Sequence, residues 1–316
     1  MKTPALRLGV DVGGTRLKFA AVRDGIVLER LVVDADARNA DALVAALADG
    51  CTTLHSRAGG ALASVGLGIA GVLSSDGAVV LQSPNLPWID GVALPGALSQ
   101  RLGGVPVAAD NDANCVGWGE AIAGAGRGFR RQICLAMGTG LGGAVVLDGQ
   151  LVRGSRGRGT ELGHLVVDPL GPRCGCGGRG CVEQYASQTG LMRALRDAGL
   201  ATAADLPSSA VRSLCDRARQ GHVAEGEIVR RAGRALGSVV ARLHALLDLD
   251  AVIVAGGLSG AWDVFAPHVS AELGAACIGL LPALRVGTLD VDAGTIGAAS
   301  LIDAPRAATP AGSLAS

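Results

Sequence analysis

A chain of 316 residues carrying 28 basic and 28 acidic side chains has zero formal net charge. That balance excludes a nucleic-acid or membrane surface built on bulk positive potential and favours small, neutral or acidic partners. The length suits two domains with sizeable cores or one large one, and because Lys2 and Lys18 are the only lysines and neither lies in a G-x-x-x-x-G-K-[ST] pattern, a Walker-type phosphate loop is excluded.

Taken in chain order, Leu6–Val22 is an apolar run, a D-x-G-G-T turn and a second alternating run, which predicts a β-hairpin. Ala40–Ala48 predicts a short helix. Ala58–Ser75 is uncharged over 18 residues, the length of a membrane span, but five glycines and three serines make it a poor one. Its V-G-L-G-I-A-G-V core reads as a buried strand with a glycine-rich exit. Ser83–Trp88, SPNLPW, is a proline-bounded loop offering an amide and a flat indole, although turn chemistry alone explains it nearly as well. The extended run VPVAAD then leads into a helix over Asp112–Ala123 that opens with good capping residues.

Ile133–Leu147, ICLAMGTGLGGAVVL, repeats the plan of the first hairpin, so two similar α/β halves are expected. From Ile228 to Leu247 apolar residues recur at helical spacing, and Asp248–Ala255 predicts a buried strand ending at Gly256-Gly257. The tail from Ala304 has no periodicity and predicts disorder. No secretory signal precedes Leu6, which predicts a cytoplasmic protein in a reducing compartment.

The densest chemistry lies between Glu161 and Glu183. Cys174, Cys176 and Cys181, with His164 upstream, supply three thiolates and a neutral nitrogen, a closed tetrahedral set suited to structural Zn²⁺. Ordinary buried thiols or a disulfide loop are the alternatives, and a reducing compartment argues against the second. Gly138–Gly143 satisfies G-x-G-x-x-G, but a strand follows where a dinucleotide fingerprint requires a helix. A glycine turn between strands still presents N–H groups as an anion nest, and one such turn in each half would clamp a polyphosphate. Asp11 precedes the first turn and is the carboxylate placed to hold Mg²⁺, the competing role being a bond to its own turn. Asn111 and Asp112 stand where a strand meets a helix; either caps the helix, and an Asp there also suits proton abstraction in phosphoryl transfer to an alcohol.

In this order DVGGTRLKFA, SPNLPW, DNDAN, MGTGLGG, ELGH ahead of CGCGGRGCVE, and VAGGLSG resemble the ROK family of bacterial sugar kinases, repressors and related open reading frames, from Leu6 to about Ala299. The zinc motif makes the resemblance specific. It implies an α/β, actin-like (ribonuclease H-like) ATPase fold with two α/β lobes around a central cleft. An N-terminal lobe over 1–117, to which 297–316 returns, would join a larger C-terminal lobe over 118–296 that carries the zinc loop.

The activity implied is transfer of the γ-phosphoryl group of ATP to the 6-hydroxyl of a hexose, with ATP, Mg²⁺ and structural Zn²⁺ bound, no nucleic-acid or membrane partner, and a homodimer or homotetramer. Carried over by residue, Asp11, Gly13, Gly14 and Thr15 match the first phosphate motif, Gly138, Thr139 and Gly140 the second, and Gly256 and Gly257 the adenosine turn. Asp112 falls on the catalytic base, and Asn85, Asn111, Glu161, His164 and Glu183 on sugar-binding positions, His164 being a zinc ligand as well. Arg16 stands where many members carry Lys, Ala144 replaces a third glycine, and Gln188 stands where glycine is common, which leaves sugar and nucleotide preference open. Glucose is the default substrate, with N-acetylglucosamine or N-acetylmannosamine as alternatives. A ROK repressor would need a helix-turn-helix for which five residues leave no room, and a non-catalytic sugar sensor would not need Asp11, Asp112 and both phosphate turns.

Overall fold

Residues 5–277, 279–304 and 306 are described by the computed structural model of the protein, so the expectation for the tail lies outside the described residues from position 307 onward. Two five-stranded sheets share one plan. In the first, β1 (Leu6–Val12), β2 (Arg16–Arg23) and β3 (Ile26–Asp34) form an antiparallel meander. β4 (Leu62–Ile69) and β7 (Val107–Asn111) extend it in parallel, in the order β3-β2-β1-β4-β7. A small ribbon of β5 (Val72–Leu73) and β6 (Val80–Gln82) follows the glycine-rich exit of β4. The second sheet runs β10-β9-β8-β11-β12, from β8 (Arg131–Met137), β9 (Leu141–Leu147), β10 (Gln150–Leu151), β11 (Ala251–Ala255) and β12 (Ala283–Val286). Three consecutive strands and then two crossovers in both sheets is the architectural form of the internal echo in the sequence.

The chain divides into one unit of Met1–Gly128, Ala144–Thr160 and Leu289–Ser316, and another of Phe129–Gly143 and Glu161–Thr288. In the first unit, Leu8, Val10 and Val12 of β1 alternate toward α1 (Ala40–Ala58) and α2 (Leu94–Arg101), where Leu43, Leu47, Leu54, Leu94 and Leu98 complete a core. The period of two along a strand turns Gly9 to the other face. There α9 (Ala293–Ala299) lies so close that a Cβ on Gly9 would stand 1.8 Å from Thr295 O, and one on Gly66 of β4 1.7 Å from Ala298 O. The same helix presses Gly297 against α3 (Asp112–Ala123), a Cβ there falling 1.8 Å from Cys115 O. Gly297→Ala is therefore expected to force a backbone shift and destabilise by about 1–3 kcal/mol, seen as a lower thermal midpoint; an unchanged midpoint would refute the packing argument.

The second unit carries α4 (Glu183–Ala186), α5 (Gln188–Asp197), α6 (Pro207–Arg219), α7 (Val223–Leu247) and α8 (Trp262–Ala276), with α7 packed against α8, and β11 is buried along its whole length. Leu236, Val239 and Val240 of α7 and Phe265, Val269 and Leu273 of α8 are buried where the two helices pack. No helix among the described residues is long and apolar enough to cross a membrane.

Three predicted boundaries moved. α1 continues to Ala58 rather than stopping at Ala48, because Gly50 is not a helix stop but a gap filled by Phe19, whose Cζ lies 2.4 Å from where a Cβ would be. α7 starts at Val223, ahead of the predicted Ile228, and its buried Glu225 is satisfied by Arg217. β11 starts at Ala251 instead of Asp248, since Asp248 takes φ 51° and ends α7 by donating its N–H to His244 O at 2.8 Å.

Candidate active site

The first unit gathers its candidate residues at the C-terminal ends of parallel strands, where α/β sheets place ligands. Strand register sets Asp11 opposite Gly68 and Gly68 opposite Asp110, with Asn111 opposite Ile69 in the next row. Cys115, on the first turns of α3, reports the same convergence: burial pushes its thiol well above the ordinary range, and the carboxylates of Asp110, Asp112 and Asp11 push it further. The D-x-G-G-T turn closes by Gly13 N–H donating to Arg16 O at 3.1 Å, leaving Gly14 and Thr15 exposed. Gly14 lies against Asn85, so close that a Cβ would meet the Asn85 Cβ at 3.3 Å. Trp88 of the same loop is partly buried on the core.

Asp11 does not bond its own turn. Its carboxylate pairs with Lys18 Nζ at 2.8 Å, the residue opposite it in the hairpin, a partner that the motif reading had passed over. Asn111 caps α3: its Oδ1 accepts from Ala113 N at 2.9 Å and Asn114 N at 3.2 Å, and its Nδ2 donates to Gly71 O at 3.0 Å. Asp112, the first residue of α3, is half-buried and accepts from Ala113 N at 2.9 Å. Capping fixes the backbone around Asp112 and so orients its side chain.

The second unit joins its glycine turns to the cysteine knot. Gly138 N–H donates to Gly140 O at 2.9 Å, and the start of α5 docks on this turn, Gln188 N–H donating to Gly138 O at 2.9 Å. Leu258 N–H donates to Met137 O at 3.0 Å, which ties the Gly256-Gly257 turn to the residue preceding Gly138. Both turns border a cavity of about 590 Å³ that is also lined by Ser208, Arg212, Cys215 and Arg219 of α6. These four carried no motif and could be found only once α6 was folded over the turn. Burial pushes the Cys215 thiol up to about 11, so it is neutral at pH 7 to 8. Iodoacetamide is expected to modify it slowly there and faster as pH approaches that value, with rapid labelling at pH 7 contradicting the packing.

Glu161 is exposed at the start of a 3-10 turn over Leu162–His164, which leans on β9 through Gly163, where a Cβ would stand 1.9 Å from Leu141 O. His164, Cys174, Cys176 and Cys181 bring their ligand atoms within 4.8 Å of one another. His164 Nδ1 is 3.5 Å from Cys174 Sγ and the Cys176 and Cys181 sulfurs are 3.6 Å apart, close to the roughly 3.8 Å edge of a tetrahedral zinc–thiolate site. The donor set and its spacing fit Zn²⁺. Glu183 faces both features: its Oε2 accepts from Leu141 N at 3.0 Å beside the Gly138–Gly140 turn, and its Oε1 is 3.9 Å from Cys174 Sγ.

Duplicated sheets, each with a glycine turn between its first two strands, define an actin-like ATPase fold of the sugar-kinase type. The ROK family description matches residues 7–304, and the chain belongs to that family. It is 36% identical over 322 residues to a glucokinase of Thermotoga maritima, covering 95% of this chain and 98% of that one. It is 31% identical over 296 residues to an N-acetylmannosamine kinase of Salmonella heidelberg, covering 93% and 97%. Among solved structures it is similar to a ROK glucokinase of Streptomyces griseus in complex with glucose and AMPPNP, with TM-score 0.76, 33% identity and coverage of 94% and 99%.

Proposed function

We propose that the protein is an ATP-dependent sugar kinase transferring the γ-phosphoryl group of ATP to the 6-hydroxyl of a hexose, glucose first. The observation that carries this reading is the convergence of Asp11, Asn111 and Asp112 at one sheet end, beside the exposed Gly14–Thr15 turn. The Streptomyces griseus relative, seen with glucose and AMPPNP, supports the choice of substrates.

In this reading Asp112 accepts the proton of the attacking 6-hydroxyl. Gly13 and Gly138 close their turns with their own N–H groups, and the backbone N–H groups of Gly14 and Thr15 and of Thr139 and Gly140 face the phosphates and stabilise charge in a loose transition state. Gly256 and Gly257 hold the adenosine. Asn85, Asn111, Glu161, His164 and Glu183 read sugar hydroxyls. Asn111 has one amide hydrogen left for this, its other polar sites being spent on the α3 cap and Gly71. His164 would serve two roles at once, because Nδ1 faces the cysteines and leaves Nε2 for the sugar.

His164, Cys174, Cys176 and Cys181 would hold Zn²⁺, which organises the loop as a closed structural site. Mg²⁺ would screen the phosphate charge, and Asp11 would reach it, directly or through water, in place of Lys18. A homodimer or homotetramer in the cytoplasm is part of the same proposal, checked by light scattering and fractionation.

An N-acetylhexosamine kinase is the second reading, supported by the Salmonella heidelberg relative. ADP release measured over glucose, mannose, N-acetylglucosamine and N-acetylmannosamine separates the two, with the largest kcat/KM expected for glucose. A larger value for an N-acetylated sugar selects the second reading. No ADP release with any of them overturns the kinase assignment in favour of a sugar sensor.

A further inference from the structure

Asp110 precedes Asn111 and has no role in the chemistry described so far. It is 5% exposed, and both its oxygens are engaged. Oδ1 accepts from Asn111 N at 2.8 Å and from the Asn114 amide at 2.9 Å; Oδ2 accepts from Arg153 Nε at 2.5 Å, with Arg306 Nη2 3.7 Å away. Asn114 Oδ1 in turn accepts from the Thr160 hydroxyl at 3.2 Å. Arg153 and Thr160 bracket one loop, and Gly159 N–H donates to Arg153 O at 2.8 Å to close it. The loop is thus pinned at both ends to the same pair, Asp110 and Asn114.

Thr160 has φ 66°, a left-handed backbone that a β-branched residue adopts only under external constraint. The residue after it is Glu161. A buried Arg–carboxylate pair is a poor source of net stability, since desolvation offsets most of its attraction. What this one does supply is a fixed geometry on two segments that carry proposed substrate contacts.

Resting on the kinase reading above, we propose that Asp110, Asn114 and Thr160 are positioning residues. The Thr160–Asn114 hydrogen bond holds Thr160 in its strained conformation and sets the backbone direction into Glu161, while Asp110 locks the backbone of Asn111.

Thr160→Val keeps the branched shape and removes the hydroxyl. Losing one hydrogen bond's worth of constraint is expected to raise the hexose KM about 5- to 10-fold while kcat and the ATP KM stay within about 2-fold, and Thr160→Ser restores the hexose KM. An unchanged hexose KM in Thr160→Val overturns the proposal. So does a matched rise in both KM values with a fall in thermal midpoint, the signature of a merely structural residue. Amide hydrogen exchange at residues 159–161, expected to be faster in Thr160→Val and slow again in Thr160→Ser, decides the positioning claim without sugar. If wild type phosphorylates no sugar the kinase reading fails, and unchanged exchange in Thr160→Val would still overturn this one by itself.

Discussion

Asp112→Asn is expected to lower kcat by about 10²-fold or more, roughly 2.7 kcal/mol of barrier, while hexose affinity stays within a few-fold of wild type. The asymmetry follows from where the residue stands. Asp112 opens α3, directly after an Asn111 that caps the helix through Ala113 and Asn114, so an isosteric amide keeps the backbone and the hydrogen bond from Ala113. What it loses is the capacity to take a proton. Steady-state kinetics with saturating ATP, paired with calorimetric sugar binding, reads both quantities. Full turnover in the variant would remove Asp112 from the role of base, and parallel loss of binding and turnover would point to disrupted folding of the α3 start.

Cys176→Ser is expected to release zinc and raise the hexose KM by about 10- to 100-fold before the ATP KM changes. Three of the four proposed ligands remain, but Cys176 and Cys181, whose sulfurs are 3.6 Å apart, would form one edge of the tetrahedron, and a serine hydroxyl is a far weaker zinc ligand than a thiolate. The damage reaches the sugar by two short routes. His164 closes the 3-10 turn that starts at Glu161, its N–H donating to Glu161 O at 3.0 Å, and Cys174 adjoins the Glu183 carboxylate. Metal content by mass spectrometry is the deciding measurement. Full zinc occupancy in the variant would exclude Cys176 as a ligand, and zinc loss with an unchanged hexose KM would separate the metal from sugar binding.

Much of this site could be read before folding because its parts are local. A Cys-Gly-Cys with a third cysteine and an upstream histidine stands at metal-ligand spacing in the sequence itself, and the helix starting at Asp112 follows from its capping residues. Both hairpins follow from alternation around glycine turns. Other features were hidden because they join residues far apart in sequence. Nothing near Asp11 says that Lys18 will lie across from it until the register of β1 and β2 is set. Nothing near Leu141 says that Glu183 will take its N–H, or that α6 will line the cavity beside Gly138. The full length of α1 was hidden for a related reason: nothing near Gly50 says that Phe19 will fill the space beside it.

By itself, the sequence determined the strand-turn-strand echo, the candidate Cys/His metal set and the identity of each proposed chemical group, since all of these depend on short-range periodicity and residue type. Tertiary structure alone decided how far α1 runs, how closely α9 approaches β1 and β4, and which charge answers Asp110. Those outcomes depend on close packing and on pairing of buried polar groups, which exist only when segments such as β7 and the Arg153–Thr160 loop meet in space.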